Sequence, residues 1–238
     1  MTSVILRCAL LRASKDGHIH RHSHPSRLAE DGEHLRMTTL KFGVESRMIA
    51  KLKPGAALAQ LDGPVLETPR LKLRQWRSAD IKPYTAMLAD PGTARFITVD
   101  GKPVEDEMTG WRHTVVMAGH WAVHGAGMFA VEEKHSGKFA GRVGPWFPPT
   151  WPDFEVGWGI TKEAQGKGYA VEAARAAIDW AFATFEIAQV IHCIDRENIA
   201  SQGVARRLGA EKQREIELFG HVADMWVTKR NAWTAAQR

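Results

Sequence analysis

Two glycines stand directly before the strongest helical pattern in this chain. The segment "QGKGYAVEAARAAIDWAF" carries Gly166 and Gly168 near its start, and apolar residues such as Ala174 and Ile178 then follow helical spacing. Glycine here adds entropy to the unfolded chain, so the position is expected to require bare backbone. A helix N-terminus presents unpaired N–H groups and the positive end of the helix dipole, which suits a phosphate. The pattern therefore predicts an anion-binding turn with Lys167 as an added positive charge, the alternative being a purely structural turn.

The neighbouring patterns place this turn in a mixed α/β domain, mainly one sheet with helices on both faces. Seven segments have the alternation or short apolar runs typical of strands. They are "VLETPRLKLRQW", "GMFAVEE", "KFAGRVGPWF", "DFEVGWGIT", "AQVIHCID", "EKQREIELFG" and "HVADMWVTK", the last two forming a closing hairpin. Four segments have helical patterns. They are the stretch from the cap candidates Ser78 and Asp80 to Met87, residues 104–120 with Met108, Trp111 and Val115 on one face, the helix after the glycine turn, and "NIASQGVARRLG".

Composition limits the classes of protein that fit this pattern. A chain of 238 residues with 44% hydrophobic composition can bury one large core, and no apolar run approaches the roughly 20 residues that span a bilayer. Cys8 and Cys193 lack the spacing of a disulfide framework or a zinc site. The formal net charge of +5 is divided among interspersed charges of both signs. We therefore expect a cytoplasmic monomer or homodimer with no metal, membrane or nucleic-acid partner.

The N-terminal part of the chain differs from the rest. Residues 1–47 are polar and aperiodic, which predicts a flexible tail or, if Met37 or Met48 is the true start, a mis-annotated extension. Residues 48–63 are expected to form a linker and residues 64–235 the folded domain. Four alternating histidines could bind a transition metal, the alternative being a solvated tail with adventitious affinity. They are His18, His20, His22 and His24.

Two signatures resemble those of the GNAT N-acetyltransferases. The turn from Gln165 to Ala170 is similar to the acetyl-CoA signature Q/R-x-x-G-x-G/A, and the segment from Asn198 to Gly209 resembles the second signature of that family. The segments "LETPRLKLRQW" and "FEVGWGIT" are similar to the branch that includes the ribosomal-protein N-terminal (alanine/serine) acetyltransferases. The resemblance implies the GNAT fold: one mixed, mostly antiparallel sheet of about seven strands, splayed between the fourth and fifth, with four helices on its two faces.

The resemblance also implies acetyl-CoA as cofactor and no metal. In this fold acetyl-pantetheine lies between the splayed strands and bonds to their backbone, and a bulge near Gly157 or Gly159 would aim one N–H at the thioester carbonyl. The alternative is that these glycines only relieve strand twist. The implied cofactor-binding residues are Trp158, Gly159, Ile160, Thr161, Gln165, Gly166, Lys167, Gly168, Tyr169, Ala170, Asn198 and Ser201.

Acyl transfer to an amine requires a base, because a protonated amine cannot attack. Glu155 is the first candidate, Asp153 and Glu197 are weaker ones, and an exposed structural role for Glu155 is the alternative. Many family members carry a tyrosine seven positions after the helix-start Asn198, but this chain has Ala205 there.

The missing tyrosine leaves the departing thiolate without the usual acid. Ser201 could donate a hydrogen bond to the sulfur, with Asn198 beside it, although both could equally be ordinary residues of a helix start. The alternative function is a catalytically degenerate CoA-binding sensor or scaffold, for which Ala205 is the only support.

The acceptor is expected to be a primary amine, either a protein N-terminus or a small molecule. Aromatic residues of the second helix and of the loop "PWFPPTWPDF" could form an apolar wall for it, the alternative being that they cover the edge of the core. These predicted substrate-binding residues are Trp111, Trp146, Trp151 and Phe154.

Overall fold

The structure is a computed structural model and describes residues 53–54 and 62–235. Its strands are β1 (Leu66–Glu67), β2 (Leu71–Arg74), β3 (Phe129–Glu133), β4 (Phe139–Trp146), β5 (Glu155–Ile160), β6 (Gln189–Asp195), β7 (Glu211–Leu218) and β8 (His221–Lys229). They form one sheet in the order β1-β2-β3-β4-β5-β6-β8-β7. Every neighbouring pair is antiparallel except β5 and β6.

The α-helices of the described residues are α1 (Ile81–Ala89), α2 (Pro91–Ile97), α3 (Glu107–His124), α4 (Tyr169–Thr184), α5 (Ile199–Arg207) and α6 (Arg230–Ala235). Two single turns of 3-10 helix, Ser78–Asp80 and Lys162–Ala164, precede α1 and α4. None of these helices has the length and apolarity that crossing a bilayer requires.

The strand register shows that α4 and α5 cover one face of the sheet. Phe129, Val143 and Trp158 are Cα partners across β3, β4 and β5, so their side chains share a face. Phe129 packs against Trp180 of α4, with ring centroids 5.5 Å apart, and Trp158 bonds to Ser201 of α5. Helix α4 contributes Tyr169, Ala173, Ala174, Ala177, Ile178, Ala181 and Phe182 to the large hydrophobic core.

The first three helices cover the opposite face. Arg142 of β4 is the Cα partner of Gly159, and both lie one residue out of phase with the α4 face. A Cβ atom at Gly159 would lie 2.6 Å from Ile97 Cδ1 and 2.8 Å from Met87 Cε, so α1 and α2 approach the bare backbone there. Helix α3 packs beside α1.

This architecture confirms the expected mixed, mostly antiparallel sheet, with eight strands rather than about seven. The segment expected as the first strand divides into β1 and β2 because Thr68 starts a turn. Its N–H donates to Leu71 O (2.9 Å), and its hydroxyl accepts from Leu71 N (2.9 Å). The fourth and fifth expected strands, between which the splay was predicted, are β5 and β6.

Two short helices were not predicted. Helix α2 has Pro91 in its first turn, directly after Asp90, whose carboxylate accepts from Thr93 N (2.9 Å) and caps the helix. Helix α6 follows β8 without a loop and buries Trp233. Local capping chemistry could have indicated α2, whereas α6 depends on a long-range contact.

The second predicted helix differs in its start and in its buried face. It begins at Glu107 rather than near residue 104, because the Asp106 carboxylate accepts from Thr109 N (2.8 Å). The face formed by Met108, Trp111 and Val115 is exposed. The helix instead buries the face formed by Gly110, Thr114, Met117, His120 and Trp121.

The predicted tail, residues 1–47, lies outside the described residues, and so do its four alternating histidines and most of the predicted linker.

Candidate active site

The parallel strands β5 and β6 pair only at their start and then diverge. Glu155 is aligned with Ile191, whose N–H donates to Phe154 O (3.0 Å). His192 lies next in the opening, with its Nδ1 2.7 Å from Val156 O. A carbonyl only accepts, so Nδ1 carries the hydrogen, and burial lowers the pKa of His192 to about 4, which keeps the imidazole neutral. The imidazole fills the narrow end of the gap between the two strands. Beyond it, the edge of β5 that faces β6 is not paired with a strand.

The turn before α4 has the backbone conformation that its glycines predict. Gly166 and Gly168 have φ values of 76° and 81°, in the left-handed region that favours glycine. Arg70 holds the turn, because its Nη1 donates to Lys167 O (2.9 Å) and its Nε donates to Glu172 Oε2 (2.6 Å). Within the described part of the chain, the N–H groups of residues 166–168 make no loop or turn hydrogen bond to other backbone. Those groups and the first turn of α4 therefore fit a phosphate.

Glu155 lies at the opposite end of the splay and is buried, with 7% of its surface exposed. Its Oε2 accepts from Trp151 Nε1 (2.6 Å) and its Oε1 accepts from Cys193 N (3.2 Å). Burial raises the pKa of Glu155 to about 7, although the two donors favour the carboxylate. Burial and the nearby Glu155 carboxyl also raise the pKa of the Cys193 thiol. Glu155 is therefore buried rather than exposed, and the direction of its pKa shift brings its titration toward neutral pH.

Ser201 lies one turn into α5, beside the splay. Its N–H donates to the Asn198 amide oxygen (3.0 Å), so Asn198 caps this helix. The Trp158 indole N–H donates to Ser201 Oγ (3.2 Å), which leaves the hydroxyl hydrogen available for another acceptor. Trp158, which was predicted to bind the cofactor through its backbone, thus also positions Ser201 through its side chain. Ala205 is buried under Trp226 and does not line the cavity.

One cavity of about 1180 Å³ connects these groups. It runs from the glycine turn, along the gap between β5 and β6, to Glu155 and the tip of the β7–β8 hairpin. Most of the residues predicted for cofactor, catalysis and acceptor lie in its lining. They are Trp146, Trp151, Glu155, Trp158, Gly159, Ile160, Gln165, Gly166, Lys167, Gly168, Tyr169, Ala170, Asn198 and Ser201.

Two of the predicted acceptor residues lie elsewhere. Trp111 is 45% exposed on the outer face of α3 and does not line the cavity. Phe154 stacks on Phe147, with ring centroids 4.7 Å apart, and packs against Phe185. Phe154 therefore covers the edge of the core, which was the alternative considered for the aromatic loop residues.

Three further candidates also lie outside the cavity lining. Thr161 donates its N–H to Ala140 O (2.9 Å), which continues the β4–β5 ladder beyond the end of β5. Asp153 accepts from Gln189 Nε2 (2.9 Å). Glu197 forms an ion pair with Arg95, which itself lines the cavity. Of the three candidate bases, only Glu155 faces the cavity.

Sequence reasoning missed much of the acceptor end of the cavity. Its lining includes Arg142 of β4, His113 and Met117 of α3, and Met128 directly before β3. Phe219 lines it from the hairpin tip. A signal existed for Arg142, which is a charged residue within the otherwise apolar strand "FAGRVGPW". The others come from segments far apart in the chain, and no local pattern connects them.

The fold is a mixed α/β sheet that opens between two parallel strands, with a glycine turn that fits a phosphate at one end of the gap and a buried carboxyl group at the other. This arrangement fits the acyltransferase class. The comparison with known families is more specific. The family model described as an acetyltransferase (GNAT) domain matches residues 70–211, and the chain belongs to this family.

Similar proteins agree with this assignment. An uncharacterised Bacillus subtilis protein, YkkB, is 32% identical over 95 residues, which cover 39% of this chain and 55% of the relative. The match therefore spans about half the length of that curated relative. The crystal structure of an acetyltransferase from Agrobacterium tumefaciens is 26% identical, with a TM-score of 0.62, and the match covers 74% of this chain and 100% of that one.

Two more distant structures share the fold. One is RimL, a ribosomal L7/L12 α-N-protein acetyltransferase in complex with CoA, which is 16% identical with a TM-score of 0.60; the match covers 71% of this chain and 99% of RimL. The other is spermidine N-acetyltransferase from Vibrio cholerae in complex with CoA and spermine, 16% identical with a TM-score of 0.57; the match covers 70% of this chain and 99% of that one.

Proposed function

We propose that this protein transfers the acetyl group of acetyl-CoA to a primary amine, by direct attack of the amine within a ternary complex. The observation that carries the proposal is the continuous cavity, which joins the anion-binding turn, the open edge of β5 and the Glu155 carboxyl group. The family to which the chain belongs supports the same reaction.

Acetyl-CoA would supply the activated acetyl group as a thioester. The turn from Gln165 to Ala170 would hold its pyrophosphate through the N–H groups of the turn and the positive end of the α4 dipole. Lys167 lies 3.6 Å from Glu133 Oε1 and is 47% exposed, so it is placed to exchange that partner for a phosphate. The β6-facing backbone of β5 would bind the pantetheine arm as an additional strand.

Glu155 would remove the proton of the acceptor amine. A base is most effective when its pKa lies near the working pH, and burial brings the pKa of Glu155 to about 7. The N–H groups of Trp151 and Cys193 hold the two carboxyl oxygens in place, so the carboxylate is oriented before the amine arrives. The base and the cofactor turn lie in the same cavity.

Ser201 would donate a hydrogen bond to the sulfur as the thiolate leaves. Its hydroxyl is positioned by the Trp158 indole and by the cap that Asn198 forms. This arrangement replaces the tyrosine that many family members carry, because Ala205 has no donor and lies in a buried cluster.

The acceptor we propose is a primary amine of a protein N-terminus or of a small molecule. The two distant relatives with named acceptors act on a ribosomal protein and on spermidine, so the fold serves both kinds of acceptor. The test begins with the thermal midpoint. A ligand that binds only the native state stabilises it by about 2.7 kcal/mol at a hundredfold excess over its dissociation constant, so acetyl-CoA should raise the midpoint clearly.

Turnover is then measured as free thiol released from acetyl-CoA across a panel of amines and short peptides. A raised midpoint together with acceptor-dependent thiol release supports the proposal. A raised midpoint without release from any amine would instead support the CoA-binding sensor or scaffold, and no shift at millimolar acetyl-CoA would refute both.

A further inference from the structure

The acceptor end of the cavity contains a cation, Arg142, that has no carboxylate partner in the described part of the chain. Arg142 extends from β4 on the face of the sheet covered by α1 to α3, and it lines the cavity. Its Nη1 contacts the sulfur atoms of Met117 and Met128, of which the former is 3.9 Å away. Its Nε is buried and has no hydrogen-bond partner within the described residues. The side chain as a whole is half-buried. A buried guanidinium N–H with no acceptor is unusual, because its desolvation is normally compensated by a hydrogen-bond partner.

Arg74, on the neighbouring part of the same sheet, shows what a compensated arginine looks like in this fold. Its Nη1 lies 2.8 Å from Asp80 Oδ2, and its Nε lies 2.7 Å from Glu132 Oε2. No described carboxylate lies within ion-pairing distance of Arg142. The contrast shows that Arg142 has room for an anionic partner that the described residues do not supply.

Two ionisable neighbours of Arg142, His113 and Tyr84, carry no negative charge. For the third, Glu155, the charge of Arg142 is one of the causes that lower the pKa of the carboxyl group, against a larger opposite effect of burial. Burial, with the charge of Arg142 as a second cause, lowers the pKa of His113 to about 4, so this imidazole is neutral. Burial raises the pKa of Tyr84, which keeps the phenol protonated. Glu155 lies further along the same face, because its register partner Trp146 is four residues from Arg142 on β4, a spacing of about 13 Å between Cα atoms.

The floor between Arg142 and Glu155 consists of glycine backbone. Gly144 lies between Arg142 and Trp146 on β4, and Gly157 lies opposite it on β5. The Met128 methyl group reaches this floor, and a Cβ atom at Gly157 would lie 2.8 Å from it. Methionine is unbranched and adapts readily, so a ligand could displace it and occupy the space between the two charged groups.

We propose that the acceptor is an amine that also carries a carboxylate, an amino-acid-like small molecule whose carboxylate binds Arg142 while its amine faces Glu155. This inference rests on the proposed function. The planar guanidinium fork matches a carboxylate, and the ligand would provide the anion that the described residues do not place beside Arg142. The opposite ends of the cavity, one cationic and one able to carry negative charge, complement such a zwitterion, whereas the charge of Arg142 repels a polyamine.

The experiment compares acceptors that differ only in this charge. Amino acids of the form H₂N–(CH₂)n–COOH, with n from 1 to 5, are assayed beside their carboxamides, which keep the amine and the shape but lose the charge. A site built for a polar group rejects the analogue that lacks it, so we expect kcat/KM for the best acid to exceed that of its amide by roughly 10²-fold. The chain length n that gives the highest kcat/KM indicates the distance between Arg142 and Glu155 in the occupied site.

Variants then assign the preference to Arg142. Arg142→Met should lower kcat/KM for the acid far more than for the amide, so that the acid-to-amide ratio falls to about one, and the variant should fold because Met117 and Met128 already contact the site. Arg142→Lys should recover part of the preference. Arg95→Gln is the matched control, since Arg95 lines the same cavity but is already paired with Glu197. Every variant is checked for an unchanged acetyl-CoA thermal shift.

Ligand binding is measured in parallel by fluorescence of Trp146 and Trp151 in the presence of CoA. Two results with the amino acids would overturn the inference: equal rates for acid and amide, or an acid preference that survives Arg142→Met. Faster turnover of spermidine, or of peptides whose second residue is acidic, than of the amino acids would also overturn it. Acetylation of neutral amines with no effect of the carboxylate would refute this inference and leave the proposed function intact. Absence of both an acetyl-CoA shift and acetylation of any amine would refute the proposed function, and absence of aminocarboxylate binding would refute the inference.

Discussion

The two halves of the cavity are built from different kinds of sequence. The cofactor half comes mainly from one continuous stretch, residues 157–170, with a second contribution from the start of α5. The acceptor half collects side chains from α1, α2, α3, β4, the β7–β8 hairpin and Met128, the residue before β3. Backbone N–H groups and left-handed glycines dominate the first half, whereas buried side chains dominate the second. A backbone site can be recognised from local sequence, and a side-chain site must be assembled by the fold.

The largest expected effect removes the group at which the two halves meet. Glu155→Gln should lower the rate of the chemical step by about 10²- to 10⁴-fold near neutral pH, because the amine then loses its base. The affinity for acetyl-CoA should remain close to wild type, since the turn that would hold the phosphates is unchanged. Single-turnover rates and thermal shifts measure the two properties separately. A wild-type rate would exclude Glu155 and transfer the role to a water chain.

The pH profile follows from the pKa of Glu155. Burial raises the pKa from its usual value of 4.5 to about 7, and the base acts in its ionised form. Wild-type kcat/KM should therefore increase as the pH rises through about 7, whereas the Gln variant should lack this step. Its rate should rise only at higher pH, as the free amine loses its proton to water. Measurement from pH 6 to 10 tests this difference.

The next effect isolates the cofactor half. Gly168→Asp should abolish the acetyl-CoA thermal shift while the protein remains folded, because a carboxylate repels phosphate and blocks the approach to the backbone. Gly209→Asp is the matched control, since Gly209 also has positive φ (71°) but ends α5 away from the cavity. Both variants carry the same backbone strain and the same added charge. Unaltered affinity in Gly168→Asp would place the phosphates elsewhere.

A smaller effect is expected at the sulfur. Ser201→Ala should slow acetyl transfer by about 10- to 100-fold, roughly the loss of one donor to a developing negative charge. The loss should persist at high pH, unlike that of Glu155→Gln, and should shrink with a thioester whose leaving thiol is more acidic. Trp158→Phe keeps the serine but removes the indole that orients it, and should show a weaker form of the same dependence. A Ser201→Ala loss that disappears at high pH would contradict the assignment.

The smallest effect concerns the hairpin tip in the acceptor half. Phe219 and Gly220 form the two-residue loop between β7 and β8, with φ values of 54° and 81°, and asparagine is preferred over phenylalanine at such a position. Phe219→Asn should raise the free energy of unfolding by up to about 1 kcal/mol through relief of strain. It should also raise KM for the acceptor a few-fold, because Phe219 lines the cavity near Trp151. Urea denaturation and steady-state kinetics measure both changes, and a higher KM for acetyl-CoA instead would argue against this division of the cavity.

The accuracy of the sequence predictions follows the same division. The glycine turn, α4 and α5 were predicted from the residues, because spacing and helix-start chemistry act over a few residues. The splay between β5 and β6 was predicted only from the resemblance to the GNAT family. Trp111 was placed at the acceptor site and lies outside it, because an apolar helical stripe does not reveal which face the fold will bury. No local sequence pattern indicated that His192 would fill the narrow end of the gap between β5 and β6. None indicated that Arg142 would lack a carboxylate partner among the described residues.

The sequence by itself determined the backbone features of this protein. Glycines at 166 and 168 permit the left-handed turn, and the adjoining pattern forms the helix whose N–H groups the turn presents, because φ, ψ and hydrogen bonding are set by near neighbours. The tertiary structure alone decided the chemistry of the side chains. Burial by distant strands and helices raises the pKa of Glu155 to about 7, and the packing of the same elements buries Arg142 Nε without an acceptor among the described residues. The solvation energy of a charge depends on everything packed around it, and no short stretch of sequence contains that information.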